Sequence, residues 1–221
     1  MISHKSLGSS ADAASLTIKA SKIEPLSAFL KHNKKHLEYS EMEQFIEMIG
    51  RQLHHLETEQ NKGVSSFKLD DITVFHDTDP YAVIPTPVYF AITNDDNIYD
   101  IDEENQMEIT SPVLSLQAST KHKIAFHSPE YKEFISKKTI PYKIHFKSGY
   151  YSFGLLCLYC YVNRTPAVAD AVAVADADAD ADADAVAVAD AEFETIINTK
   201  IYWFLKQVLQ KDPSSRRYIC V

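Results

Sequence analysis

The sequence predicts an α+β fold with N-terminal helices, an antiparallel or mixed sheet and a C-terminal amphipathic helix. Apolar residues recur at helical spacing over residues 40–60, and a tendency to alternate with polar residues follows over residues 67–93. Helical spacing returns over residues 192–211, where the predicted buried side consists of Phe193, Ile196, Ile197, Ile201, Phe204, Leu205 and Val208. A chain of 221 residues, 45% of them hydrophobic, is long enough to bury a substantial core.

Two capping patterns predict where the N-terminal helices begin. Ser21 and Glu24 fit a capping box, and Pro25 suits a first helical turn. A second S-x-x-E pattern at residues 40–43 opens a clearer helix, which Asn-Lys-Gly at 61–63 is expected to end. One apolar stripe runs along it: Met42, Phe45, Ile46, Ile49, Leu53 and Leu56.

Residues 67–93 are typical of strands. The segment from Phe67 to Val74 predicts a strand or a short bent pair, because Asp70 and Asp71 interrupt the alternation. VYFAIT at 88–93 predicts a further strand, and edge strands are expected between 97 and 117. Ser-Pro-Glu at 128–130 is then expected to open a short helix.

The longest apolar run is GYYSFGLLCLYCYV at residues 149–162. At 14 residues it is too short to span a bilayer as a helix. Because it is apolar on both faces, we expect a central strand covered by helices. Lys-Ser-Gly at 147–149 would join it to the strand KIHF as a hairpin.

The stretch AVADAVAVADADADADADAVAVADA at 167–191 alternates Ala with Val or Asp. Its seven Asp residues account for most of the formal net charge of −9, an acidity that argues against nucleic-acid binding. Low complexity predicts a tolerated, largely disordered insertion. The alternatives are a strand, a helix, a D-x-D-x-D ion site without the glycine and distal glutamate of a calcium loop, and an acidic tether for a basic partner.

The domain organisation follows from these segments. Residues 1–20 are expected to be a disordered leader, without the apolar stretch of a secretory signal. Residues 21–166 and 192–213 form one α+β domain that the insertion at 167–191 interrupts. Residues 214–221 are expected to be a frayed tail. Three cysteines without disulfide-like spacing suit a reducing cytoplasm.

The best catalytic cluster is His76-Asp77-Thr78-Asp79, since a loop after a strand can hold an imidazole beside carboxylates. His32 and His36 stand four apart but enclose two lysines. Cys157 and Cys160 form a C-x-x-C that is better explained by buried packing than by redox chemistry or zinc. We expect no metal and no cofactor.

The aromatic content favours binding. Twelve Tyr and eleven Phe supply side chains that make good interface anchors, although many must also pack in the core. The candidates for partner contact lie in predicted loops or near strand ends: Tyr81, Tyr89, Tyr99, Tyr142, Tyr150 and Tyr151.

The profile of a small, acidic α+β chain without a catalytic signature resembles adaptor and chaperone subunits of bacterial type IV secretion systems. Size and composition carry this resemblance. It implies a cytoplasmic protein that binds a coupling subunit or secretion substrates. We therefore expect a non-enzymatic interaction module with protein partners, without nucleic acid or direct membrane insertion. The alternatives are a small hydrolase or transferase using His76, Asp77 and Asp79, or a ligand-sensing domain.

Overall fold

The computed structural model describes residues 20–32, 36–76, 88–110, 125–162 and 196–218. Within these ranges the chain forms helices and antiparallel strand pairs, which confirms the predicted α+β class. The predicted disordered segments at 1–19 and 167–191 lie outside the described residues.

The N-terminal capping pattern does not start a helix. Lys22–Pro25 forms strand β1, and helix α1 begins only at Leu26–His32. β1 pairs antiparallel with a later strand, so its backbone finds partners about 50 residues away. The Glu24 carboxylate bonds to Lys22 on the same strand and to His76 across the pair rather than capping a helix. A local capping motif contains no information about this long-range pairing.

Helix α2 spans Tyr39–Gln60, close to its predicted limits. The capping box is formed two residues earlier than expected, by Glu38 and Glu41, with the Glu38 amide donating to the Glu41 carboxylate at 2.8 Å. Asn61 ends the helix in the left-handed conformation, with φ 52°. The whole predicted apolar stripe is buried.

The main sheet has three strands in the order β1-β4-β5. The predicted bent pair is confirmed: β3 is Phe67–Lys68, a 3₁₀ turn covers Leu69–Asp71, and β4 is Ile72–His76. β5 is Val88–Ile92, as predicted, and it runs antiparallel to β4. The buried Asp71 holds the bend, because its side chain accepts hydrogen bonds from Lys68 N at 2.7 Å and Asn94 Nδ2 at 2.7 Å.

A helix side chain closes the outer edge of β5. Gln52 of α2 accepts from Ile92 N at 2.9 Å and donates to Phe90 O at 3.0 Å. A carboxamide offers the donor and acceptor that a neighbouring strand would supply. Gln52 therefore satisfies backbone groups that an edge strand otherwise leaves open.

The remaining described strands form three two-stranded sheets. A second, smaller hydrophobic core is also present. β2 (Lys62–Val64) pairs with β6 (Ile98–Asp100), β3 with β8 (Ala125–Phe126), and β7 (Gln106–Ile109) with β9 (Tyr142–His145). Helix α3, Pro129–Lys137, begins as predicted, because Ser128 Oγ accepts from Tyr131 N at 3.2 Å. The smaller core consists of Ile101, Met107, Ile109, Tyr131, Phe134, Ile144 and Phe146.

The apolar run predicted as a central strand is a helix. Helix α4 spans Ser148–Val162, and the Lys-Ser-Gly segment before it leads into the helix instead of forming a hairpin. Periodicity cannot separate a strand from a helix when every side is apolar and buried, whereas a length of 15 residues favours a helix. Among the helices of the described ranges, none is long and apolar enough to cross a membrane.

Helix α5, Lys200–Val208, packs against α4 and is shorter than the predicted 192–211. Thr199 caps it by accepting from Tyr202 N at 3.2 Å, and residues 196–199 form a turn. Gly154 permits the close contact, because a Cβ there would lie 2.6 Å from a Val208 methyl carbon. Five residues of the predicted buried side are buried, and Ile197 is exposed, whereas Phe193 lies outside the described residues. The five are Ile196, Ile201, Phe204, Leu205 and Val208.

The C-terminal segment is packed into the fold as far as residue 218, so the expected frayed tail is wrong for residues 214–218. Arg216 is fully buried. Its guanidinium donates to Glu130 Oε1 at 2.6 Å, to the carbonyls of Lys147, Gln210 and Lys211, and lies over the Tyr151 ring. The four acceptors use all three side-chain nitrogens of Arg216, and a lysine has only one nitrogen to offer.

Tyr218 reaches helix α2, where its hydroxyl donates to Ile46 O at 2.6 Å. Gly50, one turn further along, leaves the space for the ring, since a Cβ at that position would overlap the Tyr218 hydroxyl. The end of the chain is thereby fixed to a helix more than 160 residues earlier.

The effect of Gly50→Ala on the free energy of unfolding is expected to change sign when Tyr218 is removed. In the intact protein the added methyl group collides with Tyr218 and lowers the free energy of unfolding by about 1–3 kcal/mol. In a Tyr218→Ala background the same change should raise it by about 1 kcal/mol, because Ala is the better helix former. Urea unfolding of the four proteins measures both effects, and equal effects in the two backgrounds would contradict the contact.

Arg216→Met is expected to lower the free energy of unfolding by about 3 kcal/mol or more, because Glu130 and three backbone carbonyls lose their donor. Arg217→Met is the matched control, since Arg217 is exposed and should change stability by less than about 0.5 kcal/mol. Thermal and urea denaturation compare the two. Similar losses of stability in the two variants would mean that Arg216 does not hold residues 214–218 in place.

Candidate functional site

A charged cluster lies where β1 meets the end of β4. The register places Lys22 opposite His76, and Glu24 follows Lys22 by two residues on the same face. Glu24 Oε1 lies 2.8 Å from His76 Nε2 and 2.7 Å from Lys22 Nζ. His32 Nδ1 lies 3.6 Å from Glu24 Oε2. The predicted candidate His76 therefore has a carboxylate partner.

That partner is Glu24, which the sequence analysis did not select. Its side chain is only 8% exposed. Burial raises the pKa of Glu24, but hydrogen bonds from Lys22 and His76 and their charges outweigh it, so the pKa lies below its ordinary value. Asp77, Asp79 and Tyr81 lie outside the described residues.

An imidazole oriented by a carboxylate can act as a general base. His76 is 20% exposed and its ring lies 5.6 Å from that of Phe29. The same contact is also a cross-strand side-chain hydrogen bond that joins β1 to β4. Knowing the strand register would have identified Glu24, but nothing near Glu24 in the sequence predicts that register.

A group of serines and both cysteines of the described ranges are buried. Ser148 Oγ donates to Ser65 O at 3.0 Å and lies 2.5 Å from Ser128 Oγ, and all three serines are inaccessible. Cys157 and Cys160 are both buried on α4, and burial raises the pKa of each thiol. Their predicted packing role agrees with these positions, although they lie on a helix rather than a strand.

The remaining chemistry-bearing groups do not form a metal site within the described part of the chain: no group of three His, Cys, Asp or Glu side chains is placed to hold an ion. His127 stacks on Tyr131 with ring centroids 4.7 Å apart. Its burial lowers the pKa to about 4, so it stays neutral near pH 7.

The predicted partner-binding tyrosines differ in accessibility. Tyr150 and Tyr151 are buried, one bonded to Glu57 and the other under Arg216, so they have little surface to offer a partner. Helix α4 requires this, because its side chains are covered on all sides. Tyr99 and Tyr142 are half-buried, and Tyr89 is 37% exposed on β5.

The most exposed large apolar side chains near one another are ones the sequence analysis did not propose for binding. Trp203, Ile197 and Tyr39 are 50%, 46% and 39% exposed, and we call this surface the Trp203 face. Trp203 lies outside the predicted buried stripe of α5, so a helical projection could have identified it. A helical projection of α5 could not have placed Tyr39 beside Trp203, because Tyr39 belongs to α2, which is distant in the sequence.

Thr199 brings these side chains together. The Tyr39 side chain contacts those of Glu43 and Thr199. Trp203 N donates to Thr199 O at 3.3 Å, which places Trp203 one turn along α5, and Ile197 precedes Thr199 by two residues. Tyr202 packs edge-to-face against Trp203 with centroids 5.4 Å apart. The face thus combines residues from the start of α5 with Tyr39 from the start of α2.

No model of a known protein family matches this chain, and no curated protein matches its sequence.

Glu24→Gln is expected to lower the free energy of unfolding at pH 7 by about 1.5 kcal/mol, because the charged hydrogen bonds to His76 and Lys22 are lost. A folded pKa below the ordinary 4.5 stabilises the protein above that pH, and this contribution is lost as the pH falls through the folded pKa. The difference between the two proteins should therefore shrink below about pH 4.5.

Urea unfolding at a series of pH values measures this difference. Glu59→Gln, an exposed change at the far end of α2, is the matched control and should leave the curve unchanged. A stability difference that stays constant from pH 7 to pH 3 would contradict an ionised Glu24 in the pair.

Proposed function

We propose that the protein is a non-enzymatic protein-interaction module, an adaptor or chaperone-like subunit of a larger assembly, and that it binds its partner through the Trp203 face. The observation that carries this proposal is the exposure of the chain's single Trp beside Ile197 and Tyr39. Tryptophan and tyrosine dominate binding energy at protein interfaces.

The support under these side chains favours recognition. Ile201, Phe204 and Leu205 bury the opposite side of α5, so Trp203 projects from a fixed helix. A rigid aromatic anchor loses little conformational entropy when a partner covers it. Covering a half-exposed Trp together with an Ile and a Tyr removes apolar surface from water, which is favourable.

The buried serines and cysteines also support a binding role. The Ser128 and Ser148 hydroxyls bond to each other, Ser148 also donates to the backbone carbonyl of Ser65, and Cys157 and Cys160 are buried on α4. A hydroxyl or thiol without accessible surface cannot attack a substrate. In the described ranges these groups therefore serve packing.

The resemblance in size and composition extends the proposal to a particular setting. We propose that the protein is a cytoplasmic subunit of a type IV secretion system and that its partner is a coupling subunit or a secretion substrate. The acidic balance is the common property, with 31 Asp and Glu against 22 Lys and Arg.

Trp203→Ala is expected to remove the partner. Affinity purification of the protein from its own host at native level, followed by quantitative mass spectrometry, should yield a stoichiometric protein that is depleted about tenfold or more with the variant. Tyr89→Ala is the matched control, since Tyr89 is an exposed aromatic on the sheet, and it should retain the partner. Equal recovery with both variants would contradict binding through this face.

A second candidate function is a small hydrolase or transferase that uses His76, and its hydrogen bond to Glu24 favours it. This function requires turnover that His76→Gln abolishes without unfolding the protein. Hydrolysis of p-nitrophenyl acetate and p-nitrophenyl phosphate by the intact protein and the variant tests it. Activity that is absent, or equal in both proteins, would argue against this candidate.

A further inference from the structure

We infer that residues 210–218, the C-terminal segment, occupy within their own chain a docking groove for another protein. The groove takes a segment in extended conformation that carries Arg and Tyr two positions apart. Its residues differ from those of the Trp203 face, so the inference goes beyond the proposed function and is independent of it. We call this surface the C-terminal groove, and it consists of Ile46, Gly50, Glu130, Tyr150, Tyr151 and Phe204.

The backbone of the C-terminal segment is extended where it enters the groove. Arg216 has φ −68° and ψ 130°. In extended backbone, side chains two residues apart point the same way and the one between them points away. Arg216 is accordingly buried, Arg217 exposed and Tyr218 half-buried. Peptide-binding grooves recognise extended segments through alternate side chains in this way.

One subsite of the groove binds a guanidinium group. Glu130 Oε1 accepts from Arg216 Nη2 at 2.6 Å, and the carbonyl of Lys147 accepts from Nη1 at 3.2 Å. The guanidinium carbon lies 4.9 Å from the centroid of the Tyr151 ring. A carboxylate, a carbonyl and an aromatic face together suit the planar cation of an arginine, which has several donors.

Arg216 does not use this subsite completely. Among the described residues, none donates a hydrogen bond to Glu130 Oε2, although this oxygen is buried. Arg216 Nη2 divides its donation between Glu130 Oε1 and the carbonyl of Lys211, and Nε donates to the carbonyl of residue 210. A buried oxygen without a donor is unfavourable, and an arginine can pair with both oxygens of a carboxylate at once. A guanidinium from another chain, which need not reach these two carbonyls, can therefore bind Glu130 more completely.

The second subsite binds a tyrosine ring. The Tyr218 hydroxyl donates to Ile46 O at 2.6 Å, and Gly50 leaves space for the ring. The ring centroid of Tyr218 lies 6.1 Å from that of Tyr150 and 5.7 Å from that of Phe204. Ring packing together with an acceptor for the hydroxyl selects Tyr over Phe.

Most of the C-terminal segment has little surface buried. Five of the eight residues from 211 to 218 are exposed: Lys211, Asp212, Ser214, Ser215 and Arg217. Segments with few buried side chains open locally, at a smaller free energy than the whole fold. The C-terminal segment can therefore leave the groove while the two hydrophobic cores stay folded.

The turn before the groove favours a different protein over a second copy as the occupant. Asp212 Oδ1 accepts from Ser214 N at 3.0 Å, and Oδ2 accepts from Ser215 Oγ at 3.0 Å. The turn returns the chain to its own α5, where Arg217 N donates to Gln207 O at 3.4 Å. Exchange of the segment between two copies would require this turn to open. A segment of another protein carries no such requirement.

Emptying both subsites allows a direct test in the full-length chain. In the double variant Arg216→Ser, Tyr218→Ser the C-terminal segment loses its two inward side chains. A fluorescein-labelled, C-terminally amidated peptide with the sequence of residues 211–218 should bind this variant saturably, as measured by fluorescence anisotropy. The intact protein, whose own segment fills the groove, should bind the peptide at least about tenfold more weakly.

Changes in the peptide test the chemistry of the two subsites. Arg216→Lys keeps the charge but loses the planar guanidinium, and Tyr218→Ala loses the ring. Each should weaken binding to the double variant about tenfold or more. Arg217→Ala is the matched control and should have little effect, because that side chain is exposed in the protein.

Changes in the double variant locate the bound peptide. Glu130→Gln should weaken binding about tenfold, since the guanidinium loses its carboxylate. Glu133→Gln, an exposed change on the same helix, is the matched control. Gly50→Ala should block the tyrosine subsite, whereas Trp203→Ala should leave binding unchanged. Circular dichroism confirms that each variant is folded.

Hydrogen exchange of the intact protein tests the opening of the C-terminal segment without any substitution. The amides of Ser215, Arg216 and Arg217 are hydrogen-bonded within the segment or to α5. Their protection factors should be at least about a hundredfold lower than those of amides in the middle of α4, because the segment opens locally. Equal protection would mean that the segment leaves only when the whole protein unfolds. That result would overturn the inference even where the double variant is too unstable to study.

Three results of the peptide experiment would overturn the inference: no saturable binding to the folded double variant, equal binding to the intact protein, or binding insensitive to Glu130→Gln. Binding that Trp203→Ala removes would assign the peptide to the Trp203 face and would also overturn it. Analytical ultracentrifugation addresses the second copy. Concentration-dependent dimers of the intact protein that Arg216→Ser abolishes would assign the groove to exchanged segments instead of a different protein.

Discussion

Helix α4 has apolar side chains on every side, and the rest of the fold depends on covering them. Helix α2 packs on one side of it, α5 on another, and the paired strands β3 and β8 on a third. Each fully buried Leu or Phe contributes about 1.5–3 kcal/mol relative to exposure. Phe153 illustrates this position, since its ring lies within 6 Å of those of Phe45, Phe67 and Phe204. Elements far apart in sequence are therefore held by one central helix.

The polar groups around α4 follow from the same constraint. Where the chain turns into the helix, buried backbone groups must find partners. Ser148 donates to the backbone of Ser65, and Arg216 donates to the carbonyl of Lys147. The buried charge of Arg216 is offset by Glu130 and by stacking on Tyr151. Ser148 and Arg216 thus satisfy backbone groups around the core, while Trp203 lies exposed on α5.

Local patterns predicted much of the fold and failed where distant residues decide the outcome. The α2 stripe, the Ser128 cap and the bend at Asp71 depend on near neighbours, and the structure agrees with them. The strand at Glu24 depends on its pairing with β4, and the helix at 149–162 depends on the elements that pack around it. Sequence periodicity carries no information about either. The candidate site divides in the same way: His76 was selected from its own loop sequence, whereas Glu24 required a strand register. Trp203 could be excluded from the core by helical spacing, but its proximity to Tyr39 depends on how two helices pack.

The position of the repeat has a consequence for synthesis on the ribosome. Residues 148–162 of helix α4 are translated before residues 167–191, whereas α5, which packs against α4, is translated after them. At roughly 5–20 residues per second, translation of residues 167–191 delays the synthesis of α5 by about one to five seconds. During that interval Gly154 and the apolar side chains around it have no α5 to pack against. The length of the repeat therefore sets how long a nascent chain exposes part of its future core, and with it the demand on molecular chaperones.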